Sequence, residues 1–566
     1  MELELRLQDA VRSMRMSPTS RWRYRYLLIL SLTLFLGINA VASTVDIKVD
    51  VRKDRHPISP LIYGVNFANS EQATLLNITL NRNGGNATSC YNWKIDATNS
   101  GNDWYFMSHP DGNSNTPSGS VDSWVRGNMT AKTTNGVKSM VTIPMIGWAA
   151  KLGPNRSPLW SFSVKKYGPQ QKTSPYNPDM GNGVKPDGQP ITGNDPNDAS
   201  IPVTVDFEKG WVQHLVSKFG AANEGGISYY LLDNEPGIWQ STHRDVFPVG
   251  IKMDDLFSRE LKTAEMIKSV DPSAMVCGPE FWGWSAYFNS GYDNEWAGAH
   301  HYQKPYPDQA AHGGMEMIPW LLQQFAATQK RTGQRLLDVL TVHYYPQENG
   351  VSSENADPAT VLLRNRSTRS LWDPKYKDES WINNTVDLIP RLRKWVDTYY
   401  PGTKIGITEY SWGAENNISG ALAEADVLGI FGKENLYLAA RWTCPKTDSP
   451  AFNAIKMYRN YNGKDGVFGD ISVACQTPDP DTCAAFASED SKTHQLKIMI
   501  LNKQPGVSQP VTLNLAGYHA KSSAQEYQLT AANSIDKLAD VDVKGDSVSL
   551  TLPEQSITLL ILNPGK

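Results

Sequence analysis

Residues 229–239, Tyr-Tyr-Leu-Leu-Asp-Asn-Glu-Pro-Gly-Ile-Trp, are the stretch that decides the fold of this chain. The apolar run from Ile227 to Leu232 is typical of a short buried strand. Pro236 ends that strand, because proline has no N–H to donate to a neighbouring strand. Glu235 is therefore predicted at the carboxyl end of a strand, where parallel α/β folds place their chemistry. An isolated Asn-Glu-Pro is more often a turn with a solvated glutamate, so the assignment depends on a second feature.

That second feature is residues 404–410, Lys-Ile-Gly-Ile-Thr-Glu-Tyr, a strand pattern that also ends in a glutamate, Glu409. Two strand-end carboxylates in one domain are what acid-assisted cleavage of a glycosidic bond requires. One carboxyl group must stay protonated to serve the leaving oxygen, which requires a raised pKa. The other must stay ionised to act on the anomeric carbon. The pair Glu235 and Glu409 therefore predicts a glycoside hydrolase.

The length and net charge of the chain limit its domain organisation and its possible partners. The chain has 566 residues, too many for a single hydrophobic core, which predicts either two domains or one large domain with one small one. Its net charge is −4, from 54 basic and 58 acidic residues, so no nucleic-acid partner is expected. The 17 tryptophans and 24 tyrosines suit stacking on sugar rings, although core packing accounts for some of them. A polysaccharide is the expected partner, and a monomer the expected state.

The first 42 residues have the pattern of an export signal. Arg21, Arg23 and Arg25 precede an apolar run at 27–36, and Ala-Val-Ala at 40–42 offers a cleavage site. The run is shorter than the ~20 residues of a membrane-spanning helix, so a membrane anchor is the weaker alternative. We therefore predict a secreted, extracellular protein with residues 1–42 as signal peptide and no membrane contact after its removal.

The cysteines and histidines give no pattern typical of a metalloenzyme. Of the five cysteines, Cys475 and Cys483 flank a turn-rich loop that is well suited to a local disulfide. The other three are too widely spaced for a metal site, and no histidine pair has the His-Glu-x-x-His spacing. No metal and no cofactor is expected in the reaction. A structural calcium among the Asp-rich loops stays an open alternative without named ligands.

Strand and helix patterns alternate through most of the chain. The predicted strands are 61–66, 77–86, 139–146, 227–232, 274–278, 339–343, 404–410 and 435–442, and the predicted helices are 207–219, 254–270, 318–330, 389–400 and 421–429. Eight strands alternating with helices predict an α/β fold, a TIM-like (β/α)₈ barrel over residues 59–472. Long loops at 90–130 and 153–202 are expected to wall an open cleft at its mouth.

After Val473 the alternation of strand and helix patterns gives way to strand patterns alone. Short strands are predicted at 496–501, 511–515, 524–529, 547–552 and 556–562, separated by turn residues. They predict a second, smaller all-β sandwich domain formed by residues 473–566. An alternating strand that begins at Val45 is expected to pair into it, so residues 43–58 are assigned to the same domain.

Five motifs, in order along the chain, resemble glycoside hydrolase family 44. They are Asn81-Arg82-Asn83-Gly84-Gly85-Asn86, Leu232-Asp233-Asn234-Glu235-Pro236, Cys277-Gly278-Pro279-Glu280, Arg335-Leu336-Leu337-Asp338 with His343-Tyr344-Tyr345-Pro346, and Ile407-Thr408-Glu409-Tyr410. The resemblance runs from about Val45 to the end of the chain. It implies a TIM-like barrel with a β-sandwich and a secreted, endo-acting β-1,4-glucanase. It further implies activity on soluble cellulose derivatives and xyloglucan with retention of anomeric configuration.

The resemblance also implies roles for single residues. Glu235 matches the acid/base, Glu409 the nucleophile, and Asn234 a residue that hydrogen-bonds the sugar 2-OH. Barrel glycosidases of this broader type place an arginine beside the nucleophile, and Arg82 fits, with an ordinary ion pair as the alternative. Trp442, at the end of the eighth strand, resembles the floor beneath the cleaved sugar.

Four further side chains are predicted to contact substrate. His343 ends the sixth strand and Tyr345 lies just after it, with core packing and a place on the cleft rim as their respective alternatives. Trp93 and Trp104 lie in a turn-rich loop and are predicted sugar platforms, with core packing again the alternative. Glu280 is a third strand-end carboxylate that competes for either catalytic role, and the Asn-Glu-Pro context ranks Glu235 above it.

Two different functions stay open from sequence. A β-mannanase or β-xylanase on the same barrel is one, because Asn-Glu-Pro is shared widely among such hydrolases and a fold does not settle substrate. A barrel that binds glucan without cutting it is the second. Preference among cellulose derivatives, xyloglucan, mixed-linkage glucan, mannan and xylan does not follow from the sequence.

Overall fold

The computed structural model describes residues 43–113 and 115–565. The predicted signal peptide, residues 1–42, lies outside the described residues. Among the described residues no helix is both long and apolar enough to cross a membrane.

Strands and helices follow one another along the chain from Val45 onward. The strands up to the end of the barrel are β1 (Val45–Asp50), β2 (His56–Pro57), β3 (Gly64–Asn66), β4 (Leu80–Asn83), β5 (Ala97–Asn99), β6 (Met107–Pro110), β7 (Lys138–Ile143), β8 (Trp148–Ala150), β9 (Leu159–Trp160), β10 (Thr173–Ser174), β11 (Asn177–Gly181), β12 (Ser200–Pro202), β13 (Tyr229–Leu232), β14 (Met275–Phe281), β15 (Val339–Tyr344), β16 (Lys404–Tyr410) and β17 (Leu438–Arg441). The later strands are β18 (Ile471–Gln476), β19 (Cys483–Glu489), β20 (Leu496–Asn502), β21 (Gln509–Ala516), β22 (Ala520–Leu529), β23 (Ile535–Lys537), β24 (Val541–Lys544), β25 (Ser547–Leu552) and β26 (Ser556–Pro564). The α-helices are α1 (Ser70–Leu76), α2 (Gly119–Thr130), α3 (Val164–Tyr167), α4 (Val205–Phe219), α5 (Trp239–Thr242), α6 (Met253–Val270), α7 (Trp284–Phe288), α8 (Gly291–Ala299), α9 (Pro307–Ala311), α10 (Met317–Thr332), α11 (Pro358–Ser367), α12 (Leu388–Tyr399), α13 (Ile418–Lys433) and α14 (Pro450–Arg459).

Eight parallel strands close into a barrel. Their order is β3, β4, β7, β13, β14, β15, β16 and β17, and β17 pairs back onto β3. Strands with both faces covered read as continuous apolar runs, and all four residues of β13 are buried accordingly. The predicted (β/α)₈ fold and the order of its eight strands are confirmed. Several predicted boundaries were wrong: β4 ends at Asn83 and β7 at Ile143, while β14 continues past Gly278 to Phe281, which places Glu280 inside the strand.

The long connections after β4 and β7 contain short strands rather than bare loop. β5, β6 and β9 form one small sheet, while β8 pairs with β12 and β10 with β11. Because β6 precedes β7 and β9 follows it, the pairing of β6 with β9 joins the two connections into one structure. The sequence prediction of two loops without secondary structure was wrong. The strands are only two to five residues long and carry too little periodicity, and the first connection also contains the helix α2, which was not predicted.

The second sheet contains β1, β2 and β18–β26. β1 pairs in parallel with β21 and antiparallel with β18, which confirms the predicted pairing of the Val45 strand. Its own apolar core includes Ile47, Leu513, Ile498 and Leu560. β18, β19, β23 and β24 were not predicted. The exact division into two domains stays a prediction, because residues 45 onward form one compact unit.

The barrel helix α13 packs against the second sheet in a buried contact. A Cβ atom built on Gly429 of that helix would lie 2.2 Å from the Phe486 ring of β19, so only glycine allows this approach. The Lys503 ammonium donates to the Asp426 carboxylate at 2.7 Å across the same contact. The predicted disulfide is not formed: Cys475 and Cys483 are both free thiols, as are the other three cysteines.

Candidate active site

The turn after β13 is held in a backbone conformation that aims Glu235 into the barrel mouth. Asp233 and Glu235 have φ angles of 63° and 48°, in the left-handed region that few non-glycine residues adopt. The buried Asp233 carboxylate accepts hydrogen bonds from the backbone N–H groups of Asn234, Met145 and Ile146. Burial raises the pKa of Asp233 to about 6, with these hydrogen bonds opposing the rise. The carboxylate therefore ties the turn to the neighbouring strand end and fixes the direction of Glu235.

Glu409 extends from β16 into the same mouth and is held by two donors. The Arg82 guanidinium donates to its Oε1 at 2.8 Å, and the Tyr345 hydroxyl donates to its Oε2 at 2.8 Å. Burial and the charge of Glu409 together raise the pKa of Tyr345 well above its ordinary value, so the phenol stays a donor. Two donors, one of them a cation, therefore fix the position of this carboxylate.

Arg82 connects most of the site. Its side chain is fully buried and also donates to Asn66 Oδ1, Asn234 Oδ1 and Glu280 Oε2, each at 2.9 Å. A buried cation is tolerated only when it is paired and hydrogen-bonded, and Glu280 and Glu409 supply the opposite charges. Arg82 is therefore more than a single ion pair: it fixes the positions of two carboxylates and two amides.

His343 lies between the two remaining carboxylates. Its Nδ1 is 2.8 Å from Glu235 Oε1, and its Nε2 is 3.2 Å from Glu280 Oε2. Burial lowers the pKa of His343, but the charges of Glu409, Glu235 and Glu280 outweigh it and raise that pKa to about 9. The imidazole is therefore protonated at neutral pH and donates from both nitrogens.

Glu235 and Glu280 differ in the groups that surround their carboxylates. Burial raises the pKa of Glu235 and the negative charge of Glu409 adds to the rise, while the hydrogen bond and charge of His343 oppose it without cancelling it. Burial also opposes ionisation of Glu280, but Arg82 and His343 outweigh it and hold the pKa of Glu280 below its ordinary value. Of the two, Glu235 has the raised pKa that an acid/base needs, while Glu280 is held as a buried anion by Arg82 and His343.

The distance between the two candidate catalytic groups is short. Glu235, His343 and Glu409 each contribute one atom to a set in which all atoms lie within 4.8 Å of one another. Such a set could hold a metal by distance alone. Its donors do not suit one, because His343 is protonated and both of its nitrogens already donate to carboxylates.

Comparison with known proteins agrees with this geometry. A family model described as glycoside hydrolase family 44 matches residues 97–348. Endoglucanase A of Paenibacillus lautus is 31% identical over 557 residues, covering 93% of this chain and 73% of that protein. This chain belongs to glycoside hydrolase family 44.

Two solved structures are similar to this chain over nearly their whole length. The crystal structure of CelM2, a bifunctional glucanase-xylanase from a metagenome library, has a TM-score of 0.90 and 50% identity, covering 92% of this chain and 99% of that one. A family 44 xyloglucanase of Paenibacillus polymyxa, solved with xyloglucan, has a TM-score of 0.77 and 30% identity, covering 92% and 100%. Family 44 membership supports a glycoside hydrolase with a glucan or xyloglucan substrate.

Of the remaining predicted family 44 site residues, Asn234 and Trp442 lie at the centre. Asn234 Oδ1 accepts from the Gly85 N–H at 3.1 Å as well as from Arg82, so its amide orientation is fixed. The Trp442 ring packs directly against Gly85, because a Cβ atom built on Gly85 would lie 2.4 Å from that ring. Phe67 packs edge-on against Trp442, with ring centroids 5.6 Å apart.

The two predicted sugar platforms differ in their surroundings. Trp104 is 37% exposed, at the end of a 3₁₀ turn. Trp93 is half-buried, its indole N–H donates to the Phe207 carbonyl at 3.0 Å, and its ring lies against Gly210 of α4. These contacts are those of a packed side chain, which favours core packing over sugar binding for Trp93.

Sequence reasoning missed three polar residues that complete the site. Glu280 was treated only as a competitor, although it is the counter-charge of both Arg82 and His343. Asn66 and Asn86 were not singled out as site residues. The sequence feature that could have identified them is a polar residue at the end of a barrel strand, as for Asn66 in β3, or shortly after one, as for Asn86 after β4.

The charge of His343 predicts a dependence of stability on pH. Its pKa rises from about 6.5 in the unfolded chain to about 9 in the folded one. The group therefore stabilises the folded state fully below pH 6.5, and that contribution is lost as pH rises towards 9. We expect the difference in unfolding temperature between wild type and His343→Gln to shrink, on the order of a few degrees, across this window.

Thermal unfolding followed by calorimetry at half-unit steps of pH checks this. The control is His519→Gln, since His519 is a surface residue with its side chain 85% exposed. A constant gap between wild type and His343→Gln from pH 6 to pH 9.5 would show that His343 is not charged in the folded protein.

Proposed function

We propose that this protein is an exported, monomeric, endo-acting β-1,4-glucanase that cleaves cellulose-type glucans or xyloglucan by a retaining double displacement. The observation that carries the proposal is the pair Glu235 and Glu409, in which one carboxylate oxygen of each side chain lies within 4.8 Å of one of the other. Retaining glycosidases hold their carboxyl groups about 5–5.5 Å apart, whereas inverting ones need roughly 6.5–9.5 Å to admit a water. Export rests on the N-terminal sequence pattern alone.

In the first step, Glu409 attacks the anomeric carbon while Glu235 protonates the leaving oxygen. Arg82 and Tyr345 donate to the two oxygens of Glu409 and hold it in position for attack on the sugar. Because protonated His343 donates to Oε1 of Glu235, the second oxygen, Oε2, is the one that carries the transferable proton. The aglycone departs, and a glycosyl ester on Glu409 remains.

In the second step, water cleaves that ester. Glu235, now ionised, takes a proton from the water as it attacks the anomeric carbon, and Glu409 leaves as a carboxylate. The released negative charge returns to Arg82 and Tyr345, which already bind it in the resting site. The Asn234 amide is positioned by Arg82 and Gly85 to meet the sugar 2-OH. We propose no metal or cofactor in either step.

A second candidate activity is xylan cleavage at the same site, favoured by the 50% identity to a bifunctional glucanase-xylanase. Mannan cleavage and glucan binding without cleavage are the competing functions. Incubation with cellulose derivatives, xyloglucan, mixed-linkage glucan, xylan and mannan, followed by sizing of products, separates them. Release of no reducing ends from any of these polymers would overturn the proposal.

The retaining mechanism predicts the configuration of the first product. Proton NMR during the first turnovers on a cello-oligosaccharide should detect the β-anomer before mutarotation produces the α-anomer. An α-anomer released first would mean that Glu409 acts through a water as a base.

Internal cleavage predicts a rapid fall in viscosity. The connections after the neighbouring strands β4 and β7 lie on one side of the barrel mouth. This arrangement suits an open cleft that can bind a polysaccharide at any point along the polysaccharide chain. The viscosity of a soluble cellulose derivative should fall steeply while few reducing ends have formed. A slow fall, with only mono- or disaccharide released from the start, would contradict endo action.

A further inference from the structure

Two exposed aromatic rings meet at the wall of the barrel mouth. Trp104 belongs to the connection after β4 and Tyr176 to the connection after β7, in the turn between β10 and β11. Tyr176 is 84% exposed, and its ring lies 6.1 Å from that of Trp104 at an interplanar angle of 36°. Single exposed apolar side chains are ordinary, but two rings brought together from separate connections form a shared surface.

The hairpin that carries Tyr176 is firmly held. The Asp179 carboxylate of β11 accepts from Trp160 Nε1 at 3.2 Å, from Ser163 Oγ at 2.8 Å and from the Lys165 backbone N–H at 2.7 Å. The Gly181 N–H donates to the Phe162 carbonyl at 3.1 Å. A ring presented on an anchored hairpin loses little conformational freedom when it binds a ligand, so the exposed position is preorganised for contact.

A chain of hydrogen bonds links this surface to the catalytic centre. Asp103, next to Trp104, accepts from Asn86 Nδ2 at 3.2 and 3.1 Å on its two oxygens. Asn86 Oδ1 in turn accepts from Asn234 Nδ2 at 3.3 Å, and Asn234 directly precedes Glu235. Burial raises the pKa of Asp103, and the charge of Glu409 adds to it, which places this carboxyl group within the field of the site.

We propose that Trp104 and Tyr176 form a remote subsite that binds a further sugar unit of a β-1,4-linked chain, beyond the unit that is cleaved. The inference rests on the proposed function and deepens it. The two faces of a pyranose ring present C–H groups that pack on an aromatic ring, while its hydroxyls project from the edge. The Trp104 indole N–H and the Tyr176 hydroxyl have no hydrogen-bond partner among the described residues, so both are available to those hydroxyls.

The consequence is a gain in efficiency that depends on chain length. A substrate too short to reach the two rings gains nothing from them, whereas a longer chain gains binding energy at a point remote from the reacting bond. Such remote binding lowers KM and, where it helps orient the chain, raises kcat. The ratio of kcat/KM on long chains to kcat/KM on short oligosaccharides therefore reports on the subsite directly.

The test compares three variants on cello-oligosaccharides of increasing length and on a soluble cellulose derivative. Tyr176→Ala should lower the long-to-short ratio of kcat/KM by about 3- to 10-fold. Tyr176→Phe keeps the ring and should retain most of the wild-type ratio. Leu538→Ala, a substitution at a 38% exposed residue directly after β23, should leave kcat/KM unchanged at every length. Circular dichroism and thermal unfolding check that the variants fold alike.

The outcomes separate the two proposals. If wild type cleaves β-1,4-glucans and Tyr176→Ala keeps the wild-type ratio, the subsite is wrong and the proposed function stands. If Tyr176→Ala and Tyr176→Phe lose activity equally at all lengths, Tyr176 acts on the fold of the wall and the subsite is again wrong. If wild type cleaves no β-1,4-glucan, the proposed function fails and the subsite fails with it.

Discussion

Replacement of Glu409 by alanine is expected to lower kcat by about 10⁴- to 10⁶-fold, the scale of losses seen when a catalytic nucleophile is removed. Without its carboxylate no glycosyl ester forms, whatever the quality of the leaving group. The loss should therefore be equally severe on polymeric glucan and on aryl cellobiosides with an activated leaving group. Initial rates on both substrate types measure this, with Glu71→Ala, at an exposed residue of α1, as the surface control.

Added azide should restore turnover of the activated substrate by Glu409→Ala. The anion fits the space left by the carboxylate and stays close to Arg82, which otherwise has a buried charge with one partner fewer. The product would be a glycosyl azide of inverted configuration, identified by NMR. If azide restores activity to Glu280→Ala and not to Glu409→Ala, the nucleophile has been assigned to the wrong strand.

Local sequence pattern was sufficient for the barrel and for both glutamates. Each barrel strand is buried on both faces, so it reads as an apolar run, and a proline or polar residue marks its end. Glu235 and Glu409 sit directly at such ends. Because all eight carboxyl ends of a closed barrel meet at one mouth, their convergence follows from the fold without any knowledge of distant contacts.

The rest of the site depends on contacts that no local pattern encodes. Whether His343 is a core residue or a charged bridge is decided by Glu235 and Glu280, which approach it from two other strands. Trp93 illustrates the opposite case: a turn-rich neighbourhood suggested exposure, but α4 covers the ring.

Some elements were missed although a weak signal was present. α14 was not predicted, yet Ser449 followed by Pro450 is a typical helix start, and the Ser449 hydroxyl accepts from the Phe452 N–H at 3.2 Å. The short strands of the two connections carry no such signal. They exist because the connections pair with each other, and sequence periodicity over two to five residues does not report pairing of distant segments.

Glu235→Gln is expected to separate substrates by their need for a proton. The amide keeps the size of the side chain and an oxygen that accepts from His343, so the site should stay assembled. Cleavage of glucan chains should fall by about 10²- to 10⁴-fold, because the leaving sugar hydroxyl must be protonated. Formation of the glycosyl ester from a dinitrophenyl cellobioside needs no proton and should persist, giving a burst of phenol followed by slow turnover.

The pH profile gives an independent test of the same role. In wild type, kcat/KM on glucan should fall as pH rises through the pKa of Glu235, which burial and Glu409 hold above the ordinary carboxyl value. For Glu235→Gln acting on the dinitrophenyl substrate, this alkaline limb should be absent from the burst rate. A burst rate that still declines along the wild-type curve would assign the titrating acid to another group.

Glu280→Gln is the variant that distinguishes an acid from a structural anion. An amide cannot neutralise Arg82 and His343 together, so the geometry around Glu409 and Glu235 should loosen. Loss of positioning affects attack by Glu409 as well as proton transfer, and so it should slow glucan and dinitrophenyl substrates by similar factors. If instead Glu280→Gln spares the activated substrate while Glu235→Gln does not, Glu280 is the proton donor, and the short separation of Glu235 from Glu409 has another cause.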